Sequence, residues 1–461
     1  MDWLRPMILS QTRLIRYSSQ ANFFLKLFAY FSDMKNLLFT IFLFLGFSQV
    51  FAQQLSPEEK KLIAEVEKNY ASTLQLLEEV VNINSGSLNK EGVKAVGDVF
   101  AREFQKIGFE TEWIELPAQV NRSGHFVATR KGTKGKKIFI IGHLDTVFEK
   151  DMPFSPYTVL NDSTATGQGL NDMKGGDVMA FASLKALHDL GYLADRTITV
   201  YFNGDEESSG NEQISRMDFI ERAQKHEVAL AYETAQGFGT VTVARRGSSG
   251  WKLKTSGRQS HSSGVFRESV GYGAIYEAAR ILTEFREELA GEQYLTFNPG
   301  QIIGGSDINY DNITGKGEAL GKTNIVAREA LVTGDLRFLG EEQKERTRAK
   351  MQEIVDRNLN QTDAEITFTD GIPSMPPTEG NLRLAKVLNE LSFDMGYGEV
   401  KPGDPGSRGA GDISYVADFM DGIDGLGASG SGAHAPGETL KLNEYPNLIK
   451  RSTLLIYRLT R

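Results

Sequence analysis

Two adjacent glutamates, Glu206 and Glu207, leave the apolar segment TITVYFN with Asp205 just before them. Three neighbouring negative charges repel one another, so the arrangement costs stability unless a positive charge lies close by. The chain has six histidines, and three of them, His143, His261 and His434, sit among glycines and carboxylates. His188 and His226 fall in or near the end of predicted helices, and His125 has no carboxylate at ligand spacing. All three read as packing or surface residues. His143 follows the strand-like run IFIIG and is followed two residues on by Asp145. In an extended segment residues i and i+2 point the same way, so Asp145 can hold the second ring nitrogen of a metal-bound His143. A solvated loop after a strand accounts for the same two residues without chemistry. Asp172, in GQGLNDMKGGD, lies just before a predicted helix, where helix capping is the competing explanation. Glu233 ends the run VALAYE, and His434 lies in the glycine-rich SGSGAHAPGETL, where small residues let backbone and ligand approach closely.

Imidazole and carboxylate ligands without sulfur suit zinc, cobalt or manganese. Two histidines and three carboxylates exceed what one catalytic zinc takes, about three ligands plus water. Two metals sharing a carboxylate, at a separation of roughly 3.5–4 Å, fit the count.

The elements that must hold these residues follow from the apolar pattern. SPEEKKLIAEVEKNYASTLQLLEEVV has the start signals of a helix: Ser56 as cap, Pro57 at the first helical position and Glu59 to complete a capping box. Strand runs at KIFIIG (137–142), TITVYFN and VALAYE (228–233) alternate with the helical GGDVMAFASLKALHDLG. Such alternation predicts an α/β domain, a mixed and largely parallel sheet sandwiched by helices. In an open sheet of this kind the carboxyl ends of the strands face one crevice, so His143, Glu206, Glu207 and Glu233 should converge on one side. The texture changes near Arg246. GWKLKTSG reads as a strand, SVGYGAIYEAARILTEFREEL as a helix and YLTFNPGQIIGG as a strand. Then TNIVAREALVTGDLRF reads as a strand, GEEQKERTRAKMQEIVDRNL as a helix and AEITFTDG as a strand. This β-α-β-β-α-β order is that of an α+β ferredoxin-like unit. The expected division is a catalytic domain in two parts, 55–246 and 372–461, with an inserted domain at 247–371. A length of 461 residues agrees with more than one core.

Composition narrows the class. A net charge of −9, with no basic run, argues against nucleic-acid binding, and the absence of cysteine excludes disulfides, thiolate ligands and cysteine nucleophiles. From Met34 the chain reads MKNLLFTIFLFLGFSQVFAQQL, the layout of a signal peptide over 34–52 with cleavage after Ala52. The competing reading is a membrane anchor, but an apolar run of about 11 residues is short of the roughly 20 that span a bilayer. Residues 1–33 read as an over-extended start. The expected location is therefore secreted or periplasmic, with no stable membrane span after cleavage.

The motifs GHLDTV, GQGLNDMKGG, NGDEESSG, AYE and GSGAHAPGE, in this order, resemble the di-zinc metallopeptidase family of glutamate carboxypeptidase, aminoacylase, acetylornithine deacetylase and succinyl-diaminopimelate desuccinylase. The likeness covers about residues 55–461 and is strongest to glutamate carboxypeptidase. It implies two zinc ions, with cobalt or manganese as substitutes, bridged by Asp172. His143 and Glu233 would complete one site, Glu207 and His434 the other. Glu206 would be the general base and Asp145 the partner of His143. In the inserted lid and dimerisation domain, SGRQSHSS and TNIVAREALVTGDLR resemble segments whose His261, Asn324 and Arg337 contact substrate. His261 would polarise the scissile carbonyl, often from the other subunit of a homodimer, and Arg337 would grip a carboxylate. A surface strand residue is the competing reading of Arg337. In PGDPGSRGAGDISYVA, Asp412 and the glycines match the family's Gly-rich loop before a helix, whereas Arg408 is left unassigned between contact with a second acidic group and a place in solvent. Glu rather than Asp at position 233 tends to accompany carboxypeptidases and deacylases. The implied activity is metal-assisted cleavage of an amide next to a free carboxylate, releasing a C-terminal residue such as glutamate from a small peptide or N-acyl amino acid. An N-acyl-amino-acid deacylase or dipeptidase is the alternative within the family. An exported binding protein without catalysis is the alternative outside it.

Overall fold

The computed structural model describes residues 55–461 with the exception of Ile313. The start and signal-peptide expectations at 1–33 and 34–52 lie outside the described residues. No described helix is long and apolar enough to cross a membrane.

The first part of the chain supplies the principal elements α1 (Pro57–Val81), α2 (Lys90–Lys106), β1 (Glu110–Ile114), β2 (His125–Arg130), β3 (Lys134–His143), α3 (Lys174–Asp189), β4 (Arg196–Asn203) and β5 (Val228–Ala231). The middle supplies β6 (Gly247–Gly257), α4 (Ala274–Leu289), β7 (Thr296–Gly305), β8 (Glu329–Phe338), α5 (Glu341–Val355) and β9 (Thr362–Asp370). The end adds α6 (Glu379–Asp394), β10 (Asp421–Ile423) and α7 (Tyr445–Thr460). At the start of α1, Glu59 N donates to Ser56 Oγ at 3.2 Å and Ser56 N to Glu59 Oε2 at 2.8 Å, the capping box read from SPEE.

The central sheet has the order β1-β2-β4-β3-β5-β10. β4, β3, β5 and β10 run parallel, while β2 is antiparallel to both β1 and β4. The sheet is thus mixed and largely parallel. Alternate residues of β3 enter different cores. Ile138 and Ile140 join the large cluster formed with α1, α2, α3, α6 and α7. Phe139 and Ile141 join a smaller one with Phe219, Ile413 and Val416 on the opposite face. This is the period-two alternation of a strand buried on both sides. In register, His143 stands opposite Asn203 and Ile141 opposite Ala231, so the carboxyl ends of β3, β4 and β5 finish level.

A second sheet, ordered β7-β8-β6-β9 and antiparallel throughout, carries α4 and α5. Trp251, Leu253, Ile281, Phe285, Val332 and Met351 belong to a separate cluster there. In chain-order terms the strands lie fourth, first, third, second, the ferredoxin-like arrangement. One expected element differs. TNIVAREALVTGDLRF does not run as strand throughout: β8 begins at Glu329, and residues 323–328 form a loop whose Ile325 bridges His261. A hairpin, Asp307–Tyr310 with Gly317–Leu320, precedes that loop and was not expected from the sequence.

Candidate metal centre

His143 closes β3, and its side chain is 1% exposed. Glu206 and Glu207 follow β4 by three and four residues, and Glu233 follows β5 by two. Asp172 comes from the loop before α3. It does not cap that helix, whose first turn has no side-chain cap and begins after Met173. Its peptide bond to Met173 is cis. His434 is at the tip of a small hairpin, Gly430–Ser431 with Thr439–Lys441, whose second strand pairs with Thr164–Thr166 just ahead of the Asp172 loop. Main-chain pairing therefore brings the His434 and Asp172 loops side by side. His434 has φ of 63°, a left-handed conformation uncommon for a residue other than glycine.

The two carboxylate oxygens of Asp172 face different histidines. Oδ1 is 3.3 Å from His143 Nε2, and Oδ2 is 3.1 Å from His434 Nε2. Glu233 Oε1 is 3.5 Å from His143 Nε2, and Glu207 Oε2 is 3.1 Å from His434 Nε2. His143, Asp172 and Glu207, and likewise His143, Glu206 and Glu233, offer ligand atoms within 4.8 Å of one another. Glu207 Oε1 is buried without a hydrogen-bond partner among the described residues. An orphaned carboxylate oxygen of this kind is what a cation ligand leaves behind. The donor set of imidazoles and carboxylates fits a pair of zinc-like ions.

Electrostatics agree. Burial, with the charges of Glu233, Asp412 and Glu207, raises Glu206 well above the ordinary carboxylate range, and burial raises Glu207. Hydrogen bonds to Asp172 and Glu207 push His434 up to about 11. Burial would depress His143, but Asp145, Asp172 and Glu233 outweigh it and hold the ring well above its usual value. Protons are drawn to these groups because the cluster is short of positive charge.

Asp145 does more than flank His143. It is fully buried, accepts Ser87 Oγ–H at 2.6 Å, and accepts the backbone N–H groups of Glu206 at 3.0 Å and Glu207 at 3.1 Å. The second ring nitrogen of His143 is nearer the Asp145 main-chain oxygen, at 3.0 Å, than its carboxylate, at 3.5 Å. The cation sought for Asp205 is Arg216, a 2%-exposed residue that pairs with Asp205 and, through Nε at 2.8 Å, with Asp412. Asp412 in turn accepts Asn203 Nδ2 at 2.6 Å. Arg245 pairs with Asp424 and lies 3.9 Å from Glu233 Oε2. Glu438 accepts the N–H groups of Gly169 (2.9 Å), Asn171 (2.6 Å) and Asp172 (2.8 Å), fixing the loop that presents Asp172. Sequence reasoning missed Arg216, Arg245 and Glu438. Only Glu438, inside the motif GSGAHAPGE, carried a signal that could have found it.

Asp172, Glu206, Glu207, Glu233 and His434 line a common cavity of about 320 Å³ with Arg245 and Arg408. His261, Asn324 and Arg337 do not line it. His261 is exposed with Nδ1 2.9 Å from Ser263 Oγ, Asn324 is exposed and gives its main-chain oxygen to Ser262 N, and Arg337 Nε donates to Asp335 Oδ2 at 2.9 Å.

Carboxypeptidase G2 of Pseudomonas sp. (strain RS-16) is 26% identical over 393 residues, covering 84% of this chain and 88% of the relative. Succinyl-diaminopimelate desuccinylase of Nitrosomonas eutropha is 23% identical over 410 residues, covering 84% and 97%. In fold, aminopeptidase PepT of Bacillus cereus superposes with a TM-score of 0.67 at 17% identity, over 84% of this chain and 98% of that one. The sequence profile of peptidase family M20/M25/M40 matches residues 139–458. With that profile running from within β3 to within α7, the chain belongs to peptidase family M20/M25/M40 and is a metal-dependent peptidase or amidohydrolase.

Proposed function

We propose that the chain is an exported two-zinc carboxypeptidase that releases a C-terminal amino acid, glutamate being the leading candidate, from a small peptide or N-acyl conjugate. The observation that carries this reading is the split contact of Asp172, one oxygen toward His143 and the other toward His434. In it, His143 and Glu233 would hold one ion and Glu207 and His434 the other, with Asp172 serving both. Two zinc ions supply acidification of a water and polarisation of the amide carbonyl. Glu206 takes the proton of the attacking water and delivers it to the leaving nitrogen. Its raised pKa, from burial and neighbouring carboxylates, suits a group that must hold the proton between the two transfers. Closure of the 247–371 unit, or assembly of a homodimer through it, brings His261, Asn324 and Arg337 to the substrate. The likeness to carboxypeptidase G2 supports the carboxypeptidase reading, and that to succinyl-diaminopimelate desuccinylase supports deacylation of an N-acyl amino acid as the second reading.

Metal analysis and a substitution test it together. Protein purified in zinc buffer should carry two ions per chain, and Glu206→Gln should retain them while kcat for N-acyl amino acids falls about 10²–10⁴-fold. Less than one ion per chain, or undiminished turnover by Glu206→Gln, refutes the reading. Fractionation of a bacterial host tests export: full-length protein confined to the cytoplasm refutes it.

A further inference from the structure

Arg408 stands in the wall of the metal-site cavity with nothing to pair with. Among the described residues its guanidinium makes no ion pair and no hydrogen bond, and its Nε is buried. The other arginine of that wall, Arg245, pairs with Asp424 through Nε and donates through Nη1 to the main-chain oxygens of Gly409 and Ala410, while its Nη2 lies 3.9 Å from Glu233 Oε2 without a hydrogen bond among the described residues.

The backbone around Arg408 is built rather than loose. Asp404 Oδ1 accepts Gly406 N at 3.0 Å and caps the turn Pro405–Ser407, and Gln236 Nε2 donates to Ser407 Oγ at 3.0 Å. On the other side Arg245 Nη1 holds Gly409 O at 3.2 Å and Ala410 O at 2.8 Å. The main chain is tied before and after Arg408, and only its side chain lacks a partner. Two divalent ions would offset the four carboxylates of Asp172, Glu206, Glu207 and Glu233, which leaves the charge of Arg408 unanswered. Arg408 is half-buried, with Nε shut off from solvent and without a counter-ion, which is costly, and the planar fork of a guanidinium matches a carboxylate.

We propose that Arg408 grips a carboxylate of the amino acid on the leaving side of the scissile amide, and so sets the preference for acidic substrates. This rests on the amide-hydrolase reading above. The carboxylate has two sources, the α-carboxylate and an acidic side chain. The residue acts by touching substrate from the cavity wall itself, whereas Arg337, bonded to Asp335, does not line the cavity and would reach the substrate only after the 247–371 unit moves or a homodimer forms.

The test compares zinc-loaded wild type and Arg408→Gln on N-benzoyl-glutamate, N-benzoyl-glutamine, N-benzoyl-glutamate α-amide and N-benzoyl-glutamine α-amide. The expected loss is about 10- to 100-fold in kcat/KM, mostly in KM, wherever the gripped carboxylate is present, with Arg408→Lys recovering part of it. A loss on N-benzoyl-glutamine identifies the α-carboxylate, and a loss on the glutamate α-amide identifies the side chain. The carboxylate-free substrate should change by less than about twofold, the scatter of a residue that makes no contact. An equal loss on all four, or none on any, overturns the proposal. If wild type cleaves none of the four, the amide-hydrolase reading has failed instead, and calorimetric binding of glutarate to the zinc-loaded protein decides about Arg408. Weaker binding by Arg408→Gln supports the grip, and equal or no binding by wild type and variant overturns it.

Discussion

Replacing Asp145 by Asn changes one oxygen of a buried carboxylate into an NH2 group and leaves volume almost unchanged. Oδ1 of Asp145 accepts Glu206 N, whereas Oδ2 accepts both Ser87 Oγ and Glu207 N. The Ser87 hydroxyl can rotate and accept from the new amide, so the least costly placement puts nitrogen at the Oδ2 position. Glu207 N–H then faces another donor and loses its acceptor. A buried donor left unsatisfied costs about 1–3 kcal/mol, and converting the remaining charge-assisted bond to a neutral one adds about 1 kcal/mol. The expected destabilisation is about 2–4 kcal/mol, concentrated on the segment that presents Glu206 and Glu207. Zinc affinity should fall about 10–100-fold, the usual effect of losing the support of a metal ligand. Denaturant unfolding of the metal-free protein and zinc titration against a competing chelator measure the two effects. Ser87→Ala, which removes one hydrogen bond and leaves both N–H groups held, should cost about 1 kcal/mol and spare zinc binding. If Asp145→Asn binds zinc as tightly as wild type and unfolds at the same denaturant concentration, the clamp on the two glutamates is refuted.

Other outcomes follow from the surroundings of the site. Arg216→Met strands Asp205 and Asp412 as buried carboxylates and should cost about 3–5 kcal/mol in denaturant unfolding, and an unchanged midpoint would show that the pairs contribute nothing. Glu438→Gln turns a donor toward one of the three N–H groups of the Asp172 loop, so zinc should dissociate faster from it in a chelator-chase experiment, while equal rates argue against a positioning role. Burial lowers His125 from 6.5 to about 4, and its Nδ1 accepts Gly204 N–H. Below pH 6.5 the unfolded chain therefore binds a proton that the folded chain refuses. Stability should be fully present above that pH and be lost as pH falls toward 4, by at most about 3 kcal/mol at roughly 1.4 kcal/mol per unit. Melting wild type and His125→Gln across pH 4–7 checks it: the acid-side slope should be shallower in the variant.

Residues at strand ends were legible from sequence because their placement depends on few contacts. A buried strand run fixes where β3, β4 and β5 end, parallel pairing levels those ends, and His143, Glu206, Glu207 and Glu233 follow. Helix starts such as Ser56–Glu59 are legible for the same reason, since every partner is within four residues. What sequence did not show depends on long-range pairing. Arg216 meets Asp412 across 196 residues, and Glu438 meets Asp172 across 266. No local pattern marks a buried arginine as the counter-ion of a distant aspartate. The loop at 323–328 misled because its residues have strand propensity, while its bridge to His261 and the preceding hairpin, both non-local, decide its conformation.

The connection between the two sheets has a mechanical consequence. Ser249 at the start of β6 faces Asp370 at the end of β9, and just outside them Arg245 and Met375 exchange N–H···O bonds in both directions at 2.9 Å. The outgoing and returning chain thus form one narrow two-stranded ribbon. A body carried on a single ribbon swings about one axis, whereas two separated linkers would let it tumble or drift sideways. In the proposed function, swing is the motion that would carry His261 and Arg337 toward the cavity. Because the ribbon's ends lie side by side, the 120-odd residues beyond it occupy the place of a turn, and a short turn in their stead would leave the central sheet's chain path closed. Arg245 belongs to that ribbon and also lies beside Glu233, so bending at the hinge and order at one half of the metal centre meet in a single side chain.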